Sequence, residues 1–154
     1  MDLLKNNSKH IQINLSEIIK AIGEDGAKSI LSSFSSPNKD VENFLKYKAI
    51  EFSKRDFSKT HLVFWSTLDE KEKYLVGYYT IAPKFISISK DKVSNSQYKK
   101  LSQYGEYDTY LKKCTISATL IGQLGKNYTD GNDTLITGDE LLKLALDKVK
   151  SIQT

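Results

Sequence analysis

The stretch YLKKCTISATLIGQLGKN, residues 110–127, begins with two-residue alternation and ends in an apolar run, the pattern of a long central strand covered on both faces. It leads through small polar residues into DGNDTLITGDELLKLALDKV, residues 130–149, a loop followed by an amphipathic helix. The N-terminus of such a helix offers unpaired N–H donors and partial positive charge to an anion. Thr137 and Glu140 also have the spacing of a capping box, Thr-Gly-Asp-Glu, and Asp139 adds a second carboxylate to the first turn. Two readings therefore stand side by side, an anion site and a self-capped structural helix.

Upstream, Asn14 and Glu17 predict a capped helix over residues 15–22 with Leu15, Ile18, Ile19 and Ile22 on one stripe. Gly23 and Gly26 interrupt it. A helical segment resumes with Ala27, Ile30, Leu31 and Phe34, then Pro37 and its polar neighbours break the pattern. Val41, Phe44, Leu45, Ala49 and Phe52 share one helical face. Strands are expected at 61–67 and 73–84, paired as a hairpin, with FISIS at 85–89 continuing on a strand bent or bulged near Pro83. A short helix fits residues 93–104, with Tyr98 and Leu101 turned inward. This order of helices and strands predicts an α/β or α+β layer domain with a mixed sheet.

The 154 residues suit one domain, with helices over about 15–54 and a sheet part over about 60–152. An apolar content of 39% and a charged content of 27% are those of a globular chain. One cysteine allows no internal disulfide, the segment MDLLKNNSKH lacks the apolar run of a secretion signal, and no run approaches a membrane span. A cytoplasmic location is expected, so the Asn-x-Ser/Thr triplets at Asn6, Asn14, Asn127 and Asn132 have no glycosylation meaning. Seven lysines (84, 90, 92, 99, 100, 112 and 113) against Asp91, Glu106 and Asp108 place the whole net charge of +4 between residues 84 and 113. Such a segment is either a solvated basic face or an attractor of an anionic ligand or nucleic acid.

The succession VENFLKYKAIEF, HLVFW, YLVGYYTIA, TLIGQLGKN and TLITGDELLKLALDKV resembles the GNAT superfamily of acyl-CoA-dependent N-acetyltransferases over roughly residues 27–152. The resemblance implies a mainly antiparallel mixed sheet flanked by helices, and acetyl-CoA as co-substrate for acetylation of a primary amine on a small molecule, a protein or an aminoacyl-tRNA. Carried over by position, the backbone of Leu124, Gly125 and Lys126 faces pantetheine. Asp133, Thr134, Leu135, Ile136, Thr137 and Gly138 form the pyrophosphate loop. Asp133 stands where the family pattern has Gln or Arg, Ile136 replaces its first glycine, and Gly138 matches. The family continues with a strand, a helix bearing a frequent proton-donating tyrosine, and a closing strand. A chain stopping at Thr154 is therefore expected to have a sheet incomplete at its C-terminus, completed by a homo-oligomer or a partner chain. The alternative is a non-catalytic interaction or regulatory module of the same fold.

No residue is nominated as catalytic base. Tyr78, Tyr79 and Gln123 could face a cleft, although strand tyrosines more often serve the core. Cys114 reads as a small buried hydrophobe and Trp65 as core. His10 and His61, far apart and with one cysteine, predict no metal site. Tyr98, Lys99, Lys100 and Tyr104 offer the elements of an RNA surface, a third reading.

Overall fold

Asn14 ends the first strand and caps the first helix, its Oδ1 accepting from the Ser16 amide at 3.0 Å and the Ser16 hydroxyl at 2.9 Å. The computed structural model describes residues 8–153; the Asn6 triplet, with residues 1–7 and Thr154 of the expected domain, lies outside them. Strand β1 is Ser8–Asn14 and helix α1 is Leu15–Ser32, kinked at Gly23, whose φ of 78° and ψ of 173° suit glycine. The predicted break thus falls at Gly23 while the helix runs through Gly26. The kink turns Ile22 outward, 52% exposed, so it leaves the stripe that buries Leu15 and Ile18.

Asn38 caps α2 (Lys39–Asn43) through the amides of Asp40 and Val41. A π turn, Phe44–Lys48, joins α2 to α3 (Ala49–Lys54). The Tyr78 hydroxyl donates to the Val41 carbonyl at 2.6 Å, satisfying a backbone acceptor beside that irregular turn. The remaining elements are β2 (Lys59–Thr67), β3 (Lys73–Ser89), α4 (Asn95–Ser102), β4 (Gly105–Asp108), β5 (Lys113–Lys126) and α5 (Gly138–Gln153). The strand order is β1-β2-β3-β5-β4, with antiparallel pairing of β1 with β2, β2 with β3, and β4 with β5. This is the flanked, mainly antiparallel sheet expected from sequence. The register of β2 on β3 shifts where Val63 faces Gly77 and Phe64 faces Leu75, so a bulge at Val76 interrupts the ladder.

Two compact units divide the chain, one reaching Ile81 and resuming at Ile121, the other Ala82–Leu120. In the first, the sheet carries a core on each face. One gathers Leu15, Leu31, Phe34, Val41, Phe44 and Leu45 over Leu62, Leu75 and Tyr78. The other sets Ile136, Leu141 and Ala145 of the α5 region on Val63, Trp65, Val76 and Tyr79, with Ile121 and Leu124 against them. In the second unit, a Ser94–Gln97 capping box starts α4, Tyr98 is buried, and Cys114 is fully buried as expected.

Candidate functional site

The end of β5 supplies the first part of the site. In an extended strand successive residues turn their N–H and C=O groups to opposite edges. The Gln123 amide donates to Thr80 Oγ1 and the Asn127 amide to the Val76 carbonyl, both at 2.8 Å, so the odd positions face β3 and run β5 antiparallel to it. Leu124 and Lys126 accordingly turn their backbone groups to the opposite edge. The β4 pairing covers Lys113–Ile116, leaving this segment without a strand partner among the described residues. Gly125 belongs to the inner edge: its carbonyl lies 2.8 Å from where a Cβ on Gly77 would stand, and a Cβ of its own would overlap Val41 Cγ1. Of the three expected pantetheine-facing positions, two present backbone outward.

Asn127 organises the loop between β5 and α5. Its side chain is buried, with Oδ1 accepting from the Ser35 amide at 3.0 Å and the Thr129 amide at 3.1 Å, and Nδ2 donating to the Leu75 carbonyl at 2.8 Å. The Tyr128 amide donates to the Ser35 carbonyl at 2.9 Å, and the Thr129 hydroxyl bonds the Ser33 carbonyl. Thr129–Leu135 then forms a 3-10 turn broken by left-handed Asp130 (φ 55°) and Gly131 (φ 73°). Asn132 Nδ2 donates to the Leu75 carbonyl at 3.2 Å.

The loop positions separate by what their atoms already do. The Asp133 carbonyl accepts from Lys126 Nζ at 3.3 Å, and the Thr134 hydroxyl donates to the Gly131 carbonyl at 2.8 Å. The Leu135 carbonyl lies 2.9 Å from His10 Nε2, so that nitrogen carries the proton. Ile136 is buried in the α5 core, which pins the loop where the family pattern has glycine. The Thr137 amide donates to Glu140 Oε1 at 3.1 Å and the Glu140 amide to Thr137 Oγ1 at 3.0 Å, so the capping box forms. The amides of Gly138 and Asp139 have no hydrogen-bond partner among the described residues, and a Cβ on Gly138 would meet nothing within 4 Å. Leu124 packs against the core that holds Leu141, so the end of β5 and the first turn of α5 border the same core.

His10, which the sequence marked only as a poor metal candidate, ties this region to β1. His10 Nδ1 lies 3.8 Å from Glu140 Oε2, and a groove of about 220 Å³ lined by His10, Trp65, Thr134, Thr137 and Glu140 runs alongside. Asn127 gave no functional signal either, because its partners lie 52 and 92 residues away.

The tyrosines considered for the cleft are core groups. Tyr79 donates to Gln12 Oε1, and burial pushes its hydroxyl up to about 12; burial also raises Tyr78. His61 stacks on Tyr79 at 5.1 Å, and its pKa is lowered to about 4, first by burial and then by Lys148 and Lys59. Its Nε2 has no hydrogen-bond partner among the described residues. Among the described residues no group of three or more His, Cys, Asp or Glu side chains converges as a metal site, and no helix is long and apolar enough to cross a membrane.

No protein-family model matches the sequence, and no curated protein matches it. Solved structures do resemble it. A crystal structure of a tyrosine-to-phenylalanine mutant of KacT superposes with a TM-score of 0.58 at 14% identity, covering 93% of this chain and 69% of that one. A structure of a tyrosine-to-phenylalanine AtaT mutant toxin gives a TM-score of 0.50 at 16% identity, covering 79% of this chain. The chain spans 59% of the length of that AtaT chain. The strand order, the two-faced core, the strand edge leading into a capped helix and these superpositions together identify the architecture as the GNAT fold.

Proposed function

We propose that this chain binds acetyl-CoA and transfers its acetyl group to a primary amine. The observation that carries the reading is an unpaired strand edge at Leu124 and Lys126 together with free Gly138 and Asp139 amides at the start of α5, the helix whose Leu141 shares a core with Leu124. A pantetheine arm carries amides that can extend a sheet edge, and a pyrophosphate suits helix N–H donors. Leu124, Lys126, Gly138 and Asp139 would hold the co-substrate, while Gly125 and Ile136 shape the site from behind. When bound, acetyl-CoA supplies an activated thioester: an amine nitrogen bonds its carbonyl carbon, the C–S bond breaks, and the amine gives up a proton.

The Glu140 carboxylate holds the Thr137 amide and adds negative charge beside the donors, so it weakens binding of a diphosphate. Isothermal titration with CoA tests both statements. Wild type should give saturable heat, and Glu140→Ala should bind more tightly while losing about 1 kcal/mol of stability with the capping box. No heat from either folded protein at millimolar CoA overturns the reading.

The runner-up is a non-catalytic module completed by a partner chain. It is favoured by Leu142, Leu146 and Ile152 of α5, large apolar side chains left open to solvent. A stable hetero-complex combined with no CoA affinity supports it over the transferase.

A further inference from the structure

The second unit, Ala82–Leu120, has a surface that the acyl-transfer reading does not use. Its seven lysines, 84, 90, 92, 99, 100, 112 and 113, are all exposed, and they outnumber Asp91, Glu106 and Asp108 by the whole net charge of the chain, +4. Among the described residues none of the seven has a carboxylate within ion-pair distance, so three acids are all that offset them within the unit, whereas the rest of the chain carries sixteen cations against sixteen acids. A field left unneutralised in this way attracts anions.

Flat apolar groups stand among these charges. Tyr110 is 94% exposed, Tyr104 76% and Phe85 72%, and Tyr107 is also open to solvent. The β4–β5 turn is built to hold its tip outward: the Asp108 carboxylate accepts from the Tyr110 amide at 2.9 Å and the Leu111 amide at 3.1 Å, and Lys112 takes a left-handed backbone with φ 53°. Beside it a groove of about 670 Å³ is lined by Ser89, Lys90, Asp91, Tyr107, Leu111 and Lys112, within the size range of ligand clefts. The Lys90 ammonium also lies 5.9 Å from the centre of the Tyr98 ring, which meets Tyr107 edge to face.

We propose that this unit binds a single-stranded nucleic acid, its phosphates drawn past Lys90 and Lys112 and its unpaired bases stacked on Tyr107 and Tyr110. A duplex would satisfy the lysines but could not use the rings, because paired bases do not present their faces. An anionic membrane would also meet the lysines and can bed tyrosines among its headgroups, but a concave groove with Asp91 in its wall suits a threaded strand better than a flat bilayer. Neither argument depends on CoA binding.

The test is fluorescence anisotropy of a labelled twelve-nucleotide uridine RNA with the full chain across a salt series. Binding should weaken with salt, and Lys90→Gln/Lys112→Asn should flatten the logarithmic salt slope by about 1 to 2, near 0.7 for each lost phosphate contact. Asparagine tolerates the left-handed backbone at position 112. Tyr110→Ala, at a position too exposed to support the fold, should weaken binding about tenfold with the slope unchanged. Lys20→Gln/Lys28→Gln, which removes equal charge from α1, should leave affinity within about twofold, since neither residue lines the groove. The proposal is overturned by equal affinity for an RNA duplex with no Tyr110 dependence, by an equal loss in the α1 control, or by binding to phosphatidylserine vesicles in place of RNA.

Discussion

Asn127→Ala is expected to lower unfolding stability by about 3 kcal/mol and to abolish CoA binding. The carboxamide, 1% exposed, joins three segments: the Ser35 amide of the α1–α2 link, the Thr129 amide of the loop and the Leu75 carbonyl of β3. Truncation orphans two partly buried N–H donors, each costing about 1–3 kcal/mol, while the Leu75 carbonyl keeps Asn132. Ser35 and Thr129 are only partly buried, which holds the sum toward the lower end. Asn127→Asp retains the acceptors but turns an oxygen toward the Leu75 carbonyl, so it should also destabilise. Urea denaturation measures both. A loss below about 1 kcal/mol for Asn127→Ala would remove Asn127 from its organising role.

Gly77→Ala should be at least as damaging, about 3 kcal/mol or more. A Cβ at position 77 would stand 2.8 Å from the Gly125 carbonyl oxygen and 3.2 Å from Leu141 Cδ2. The first contact is with backbone, which cannot rotate away, so β3 and β5 must separate and α5 must shift. Those are the elements that place Leu124 and Lys126 beside the start of α5. Gly138→Ala is the matched control: its Cβ meets nothing within 4 Å, and stability should change by less than about 1 kcal/mol. Thermal melts of the two variants decide the point, and a Gly77→Ala protein as stable as wild type would show that the strands are not in close contact there.

The parts of the fold written in local pattern were legible in the sequence. The Thr137–Glu140 box, the β2–β3 hairpin and the apolar stripe of α2 and α3 depend on residues no more than 22 positions apart, and each was expected where it occurs. Strand β1 went unrecognised because His10 and Gln12 occupy strand positions as polar residues, and their partners, Leu135 and Tyr79, lie 125 and 67 residues away. Strand β4, GEYD, has too little apolar alternation to signal itself. At the site, the resemblance implied three consecutive backbone positions on one edge, but the alternation of a strand turns Leu124 and Lys126 one way and Gly125 the other. The turning of Gly125 toward β3 is set by its register, which no local feature encodes.

Amide hydrogen exchange with and without CoA, resolved to single residues, tests the assignment of the co-substrate site most directly. The outward amides of Leu124 and Lys126 and the free amides of Gly138 and Asp139 should slow on adding CoA, while those of Gln123 and Asn127, already bonded toward β3, change little. Saturating CoA that leaves those four amides exchanging at their free rates, or that protects a different surface, would contradict the placing of acetyl-CoA along this strand edge and helix start.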